Sequence, residues 1–357
     1  VSLDFRLFYQ RYLGLANRAG YHMCQAPGYT AAHQAALATE IERWIPDPNF
    51  EGFVCIEWEY APFFWTGRSS NPQPNDPAAH DRDYGDDWYE YMQQNRSGEL
   101  VGLTGADLED YLKQTYEAAA RAWFESTMAE FRRLRPNAKI GWYNMPNRTY
   151  LDYSMPGPMP AKSYNDSIPW FWEAVDFVVP ELYQSCFTVE SDSVVASFPN
   201  QNRPSENDRH IRSNIREAKR VAPGKLVVPI VFSKYVAPTT YAGQFLSDIN
   251  TRQVIDITYQ EGCYGVILWD AMDSQAEADA LEAYLQSEFL PHIGPLINNP
   301  MRRADEQPPV NPQDSGETTE APSGGGTANS GAGTDSGAGT DTADYSDSSA
   351  AVNVSLA

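Results

Sequence analysis

The stretch Phe53-Val-Cys-Ile-Glu-Trp-Glu59 constrains this chain more than any other. It begins as an apolar, β-branched run of the kind that makes a buried strand. It then places two carboxylates, Glu57 and Glu59, at the C-terminal end with an aromatic between them. Side chains alternate faces along a strand, so Glu57 and Glu59 point the same way, roughly 6–7 Å apart. Like charges that close disfavour each other's ionised forms, which raises at least one pKa. A protonated carboxylic acid beside an ionised one is equipment for cleaving a glycosidic bond. Two solvated acids at a strand end would look the same on spacing alone, so the rest of the chain has to decide.

Strand candidates recur around that stretch. Phe5–Tyr9 precedes it, and Lys139–Asn144, Phe177–Tyr183, Lys225–Ser233 and Gly265–Asp270 follow, with the starts of these last four 38, 48 and 40 residues apart. Helical segments lie between and after them. Thr30 is placed to cap a helix running to about Ile45, and Thr104-Gly-Ala-Asp107 reads as a capping box. Beyond that box, Leu108, Leu112, Tyr116, Ala119 and Trp123 repeat at helical spacing until Arg135-Pro136. Asp208–Ala222 and Ser274–Leu290 read as helices too. The span from Pro62 to about Leu103 is Pro-, Asn- and Asp-rich and reads as a long loop over a cleft. Strands alternating with helices imply parallel βαβ units. With this many units and no Gly-rich phosphate loop, the expected fold is α/β: a TIM-like β/α barrel, irregular, with seven or eight strands.

In such barrels the site lies at the C-terminal strand ends. The residues there are Glu57 and Glu59, Tyr143 with Asn144, Glu181 with Tyr183, and Trp269 with Asp270. Sugar rings stack their C–H faces on aromatics and offer hydroxyls to polar groups, so this is the composition of a carbohydrate cleft. The catalytic candidates are Glu59 and Glu57; the substrate-binding candidates are Tyr143, Tyr183, Trp269 and Asp270.

At this point the ordered motifs resemble a family. Trp44-Ile-Pro-Asp47, the strand ending Ile56-Glu-Trp-Glu59, Ala118–Phe124 with Leu134-Arg-Pro136, and Gly141-Trp-Tyr-Asn-Met-Pro146 are similar to the hyaluronidase family of glycoside hydrolases. Pro180-Glu-Leu-Tyr183, Asn214–Val221, Gly265–Asp270 and Leu290–Ile297 continue the match in order, over roughly residues 20–298. The resemblance implies that Glu59 is the acid/base. It implies that Glu57 stands where the family has an Asp that orients the substrate's 2-acetamido group, which serves as the internal nucleophile. Tyr143 and Tyr183 then hold the reacting sugar and Trp269 walls its subsite. The implied activity is retaining cleavage of β-linked N-acetylhexosaminides by an endo-acting, substrate-assisted enzyme. Two alternatives stay open: Glu57 as a direct nucleophile, and a carbohydrate-binding pseudoenzyme. Glu57 is one methylene longer than Asp, and a misplacement of about 1 Å can cost about a hundredfold in rate. Tyr60-Ala-Pro62 lacks the Arg that the family carries there.

Composition sets the remaining bounds. Over 357 residues the formal net charge is −22, which argues against nucleic acid and anionic membranes as partners. The same charge makes a neutral glycan at least as good a fit as a polyanion, unless Arg68, Arg148, Lys162 and Arg203 line the cleft. No run is long enough to span a membrane. The four cysteines have no metal-ligand spacing, and Cys55 and Cys263 read as buried thiols. The five histidines show no ligand pair, His33 reads as structural, and neither metal nor cofactor is expected. The chain opens at Val1, without an obvious first barrel strand ahead of Phe5, and reads as N-terminally truncated; a secreted or extracellular location is favoured. Residues 1–298 form the expected barrel. Residues 299–357 read as a Pro-rich linker and a disordered acidic tail of Gly, Ser, Thr and Asp.

Overall fold

The computed structural model describes residues 4–14, 21–59, 62–65, 67–68, 84–146, 160–184, 187–188, 194–195, 206–236 and 241–297. The expected tail, Tyr60, Ala61, Arg148, Arg203 and Cys186 lie outside these.

Three parallel strands open the fold: β1 (Phe5–Phe8), β2 (Phe53–Ile56) and β3 (Lys139–Trp142), with Phe5 beside Phe53 and Phe53 beside Lys139. β4 (Phe177–Val178) follows β3 through a parallel bridge between Tyr143 and Val179. A short antiparallel pair, β5 (Phe187–Thr188) and β6 (Val194–Val195), stands apart from the parallel set. β4 pairs with β7 (Leu226–Val227), Glu181 bridges Ile230, and β8 (Ile230–Phe232) pairs with β9 (Ile267–Trp269), all parallel. The expected strands Phe177–Tyr183 and Lys225–Ser233 are thus shorter and interrupted. Pro180 and Pro229 have no N–H to give the ladder. Pairing resumes past each: the Ile230 N–H donates to Pro180 O at 3.0 Å and the Ile267 N–H to Pro229 O at 2.8 Å.

The strands bury both faces, as parallel strands do. Val54, Ile56, Ile140, Trp142, Val178 and Leu268 join the larger core with the helices. Phe5, Phe53, Cys55, Phe177, Val179, Ile230 and Ile267 pack together in a second cluster on the opposite face. The alternation of β2 carries past its end, which puts Glu57 and Glu59 on the Cys55 side. Gly141 has no side chain because there is no room for one: a Cβ there would meet the Phe177 ring at 2.7 Å. Gly141→Ala is expected to cost about 1–3 kcal/mol by displacing that ring. Chemical denaturation at constant m-value checks it.

Helices cover the outer face. α1 (Tyr29–Trp44) is entered through Gly28 at φ 79°, not capped by Thr30 as expected. Thr30 sits inside the helix because Gly28 takes the left-handed turn that starts it. α2 (Tyr84–Asn95) occupies part of the span expected to be a loop, burying Gly85, Trp88 and Met92. α3 (Gly105–Leu134) is the long helix expected, but the Thr104 side chain makes no cap bond. It stops where Arg135 precedes Pro136, and the buried Arg135 reaches back to Ile45 O and Glu42. The short helices α4 (Pro160–Ser167) and α5 (Pro169–Ala174) lead into β4. α6 (Glu206–Val221) follows, and α7 (Asp248–Gln260), which the sequence reading did not anticipate, is capped by Ser247. α8 (Gln275–Tyr284) is capped by Ser274 as expected, then continues through a π turn into α9 (Leu290–Ile297). His33 is buried between α1 and α3 with Nε2 3.0 Å from Thr127 Oγ1, and Cys55 and Cys263 are buried thiols. Among the described residues no helix is long and apolar enough to cross a membrane.

Candidate active site

The C-terminal ends of the parallel strands carry the site. The Glu57 N–H donates to Phe8 O and the Glu59 N–H to Gln10 Oε1, each at 3.0 Å, so the chain after β1 holds the two carboxylates in place. Tyr143 follows β3, and its N–H donates to Ile56 O at 2.8 Å; Asn144 then turns the chain away at φ 54°, which Asn tolerates better than most residues.

Glu57 and Glu59 share a hydrogen bond, while Glu57 Oε2 is buried with no partner among the described residues. Loss of water pushes the Glu57 carboxyl well above the usual carboxylate range; the Glu59 charge adds to this and Arg11 opposes it. Glu59 is raised as well, by lost hydration and then by the Glu181 charge, with the hydrogen bond to Glu57 pulling down. Glu59 is exposed, and water there softens both the hydration loss and the effect of the Glu181 charge. The pair therefore holds a proton at pH values where ordinary carboxyls have lost theirs.

Rings wall the pair. Tyr183 stacks on Trp269 at 6.0 Å and 15°, Phe232 packs 5.4 Å from Tyr183 and 5.0 Å from Trp269, and Tyr143 lies 6.4 Å from Tyr183. The Trp269 Nε1–H reaches Tyr9 OH at 3.4 Å, and Arg11 sits 5.3 Å from the Tyr9 ring. Burial raises both Tyr143 and Tyr183 above the usual phenol range, so they remain protonated.

The structure thus gathers Glu57, Glu59, Tyr143, Tyr183 and Trp269. Asp270 is placed differently. It is the neighbour of Trp269, and strand alternation turns it to the opposite face, where it is buried; Ser233 Oγ donates to one of its oxygens and Lys234 Nζ to the other at 2.8 Å. Arg68, proposed as a cleft cation, pairs with Glu109 and lies 4.4 Å from the Tyr89 ring. The sequence places Glu181 at a strand end without giving it a role, and does not point to Phe232, Tyr9 or Arg11. Glu181 was legible: it stands two residues before Tyr183, at the same spacing that pairs Glu57 with Glu59. No group of three or more metal-ligating side chains occurs among the described residues.

Parallel strands with paired, proton-holding carboxyls at their C-terminal ends and a wall of rings define the glycoside hydrolase class. The hyaluronidase family model matches residues 6–302, and this chain belongs to the hyaluronidase family. It is 28% identical to mouse hyaluronidase PH-20 over 309 residues, 80% of this chain and 54% of that protein. It is 26% identical to pig hyaluronidase-3, covering 84% of this chain and 68% of the relative. The chain spans about half the length of mouse PH-20 and mouse hyaluronidase-1, 54% and 53% of them. Bee venom hyaluronidase shares the fold at a TM-score of 0.63 and 19% identity, over 81% of this chain and 87% of that one. A second structure of the bee enzyme, with the same score, holds a hyaluronic acid tetramer.

Proposed function

We propose that this chain is an endo-acting β-N-acetylhexosaminidase that cleaves with retention through the substrate's own acetamido group. The observation that carries the reading is the buried Glu57 oxygen without a partner among the described residues, beside a proton-holding Glu59. That oxygen is an acceptor placed for an acetamido N–H. Glu59 gives its proton to the leaving glycosidic oxygen as the acetamido oxygen attacks C1, closing an oxazolinium ring while Glu57 holds the N–H. Glu59, now ionised, takes a proton from water, which opens the ring at C1 from the face the leaving group vacated. Two displacements at C1 restore its configuration. Tyr143 and Tyr183 bind the reacting sugar, and Trp269 supplies a stacking face. Asp270 holds Lys234 beneath the cleft rather than touching the glycan.

The direct-nucleophile alternative is disfavoured by the environment of Glu57, since a carboxyl kept protonated by burial is a poor nucleophile. A closed, TIM-like barrel over residues 1–298 accommodates the fold: the inner cluster draws on strands from β1 to β9, and the Phe53 ring stacks on Tyr264 at 5.7 Å. The substrate is an N-acetylhexosamine-containing glycan. The formal net charge of −22 favours a neutral glycan over a polyanion. A secreted or extracellular location fits such a substrate.

The test is hydrolysis of hyaluronan, chondroitin, chitin oligosaccharides and matched glycans lacking the acetamido group. Cleavage confined to acetamido sugars, inhibited by a thiazoline mimic of the cyclised intermediate, is expected. Cleavage of sugars without the acetamido group, indifferent to the thiazoline, would move the nucleophile to Glu57. Glycan binding with no hydrolysis of any member would leave a pseudoenzyme.

A further inference from the structure

A third carboxylate stands in the site with no role in the mechanism above. Glu181 lies beyond the end of β4, its backbone fixed by the bridge to Ile230 and by the Leu182 N–H donating to Ile230 O at 2.9 Å. It is half-buried, on the same side of the chain as Tyr183. The Tyr143 hydroxyl lies 2.7 Å from Glu181 Oε2. An ionised carboxylate can only accept, so the phenol donates and its oxygen keeps lone pairs for another donor. The Tyr183 ring lies 6.4 Å from the Tyr143 ring. Of the two proposed sugar-holding tyrosines, Tyr143 is thus tied directly to Glu181.

We propose that Glu181 is a positioning residue of this active site: as acceptor for the Tyr143 hydroxyl it fixes that phenol against the cleft, and its carboxylate acts on Glu59. Its kinetic consequences rest on the proposed glycosidase reading; its effect on Glu59 does not. Among the described residues, the ionisable groups on this site come from four elements. Glu57 adjoins Glu59 at the end of β2, Tyr143 follows β3, and Glu181 and Tyr183 follow β4; after β1, Arg11 acts on Glu57, and Glu57 in turn on Tyr9. The Glu181 charge disfavours the ionised form of Glu59 and so extends the pH range over which Glu59 holds the proton it must donate.

The sign follows. Without the Glu181 charge Glu59 ionises at lower pH, so the limb on which activity declines with rising pH moves down, by on the order of one pH unit. Two variants separate the effects: Glu181→Gln keeps an acceptor oxygen but loses the charge, and Tyr143→Phe loses the hydrogen bond but keeps the charge. The first readout is a titration of carbon-13-labelled glutamate carboxyls by NMR, with Glu59 assigned as the resonance missing from Glu59→Gln. Its midpoint is expected to fall in Glu181→Gln and to stay raised in Tyr143→Phe. An unchanged midpoint in Glu181→Gln overturns the proposal whether or not the parent hydrolyses any glycan. The same holds for a Tyr143→Phe midpoint that falls as far as that of Glu181→Gln. The second readout is the pH profile on a glycan the parent cleaves. The descending limb should shift in Glu181→Gln alone, and Tyr143→Phe should lower kcat about tenfold with KM within about twofold. Equal loss of folding stability with no limb shift would mark Glu181 as merely structural. A parent inactive on every glycan refutes the proposed function and leaves the titration to decide the role of Glu181.

Discussion

Glu59→Gln lowers kcat by about a thousandfold with KM little changed, because the amide keeps the shape of the acid and cannot donate its proton. The expectation rests on three features of Glu59. It follows a strand that points it to the mouth, its N–H is tied to Gln10 Oε1 at 3.0 Å, and its carboxyl is held above the ordinary range by lost hydration and Glu181. The deficit should shrink on substrates whose leaving group needs no proton, such as glycosyl fluorides or nitrophenyl glycosides, since only the acid step is then bypassed. Steady-state kinetics on both substrate types checks this. A natural-substrate rate within tenfold of the parent would remove Glu59 from the acid role and send the search to Glu57 or Glu181.

Trp142→Ala costs about 3–5 kcal/mol of stability, the range for deleting a large buried aromatic. Trp142 is 1% exposed. Its ring lies 5.2 Å from Phe63, 5.1 Å from Phe124, 5.9 Å from Trp123 and 6.2 Å from Phe171, and its Nε1–H points at Met128 Sδ. These neighbours sit on α3, on α5 and on the segment after Glu59, so their rigid frames cannot all close over the hole. Urea titration of the variant at unchanged m-value measures the loss. A cost below about 1 kcal/mol would mean the ring stack collapses freely and is not the hinge between sheet and helices. Trp142 also precedes Tyr143, so activity should fall in the folded fraction as well.

The strand order and the carboxylate pair were legible because they depend on local rules. Alternation alone sets Glu57 and Glu59 on one face, and apolar runs with β-branched residues mark β2 and β9. α3 was legible because Leu112, Tyr116, Ala119 and Trp123 recur at helical spacing and Pro136 ends the run. α7 was missed because its buried face includes Asn250 and Thr251, polar residues whose partners lie far away in sequence: Gln184 and Tyr235 for Asn250, and Tyr284 for Thr251. α2 was missed because Trp88 and Met92 are its only large buried side chains in an otherwise polar helix.

What the sequence determined by itself is therefore the alternation of strand and helix, the family, and the acids and rings at the strand ends. Those follow from periodicity and from the order of motifs, which act over a few residues at a time. Only the tertiary structure decided how those ends share one site. It put Glu181 against Tyr143, 38 residues apart in sequence, and turned Asp270 away to Lys234, 36 residues apart. Charge and hydration depend on distance in space, so the protonation of Glu59 is set by neighbours its own strand does not name.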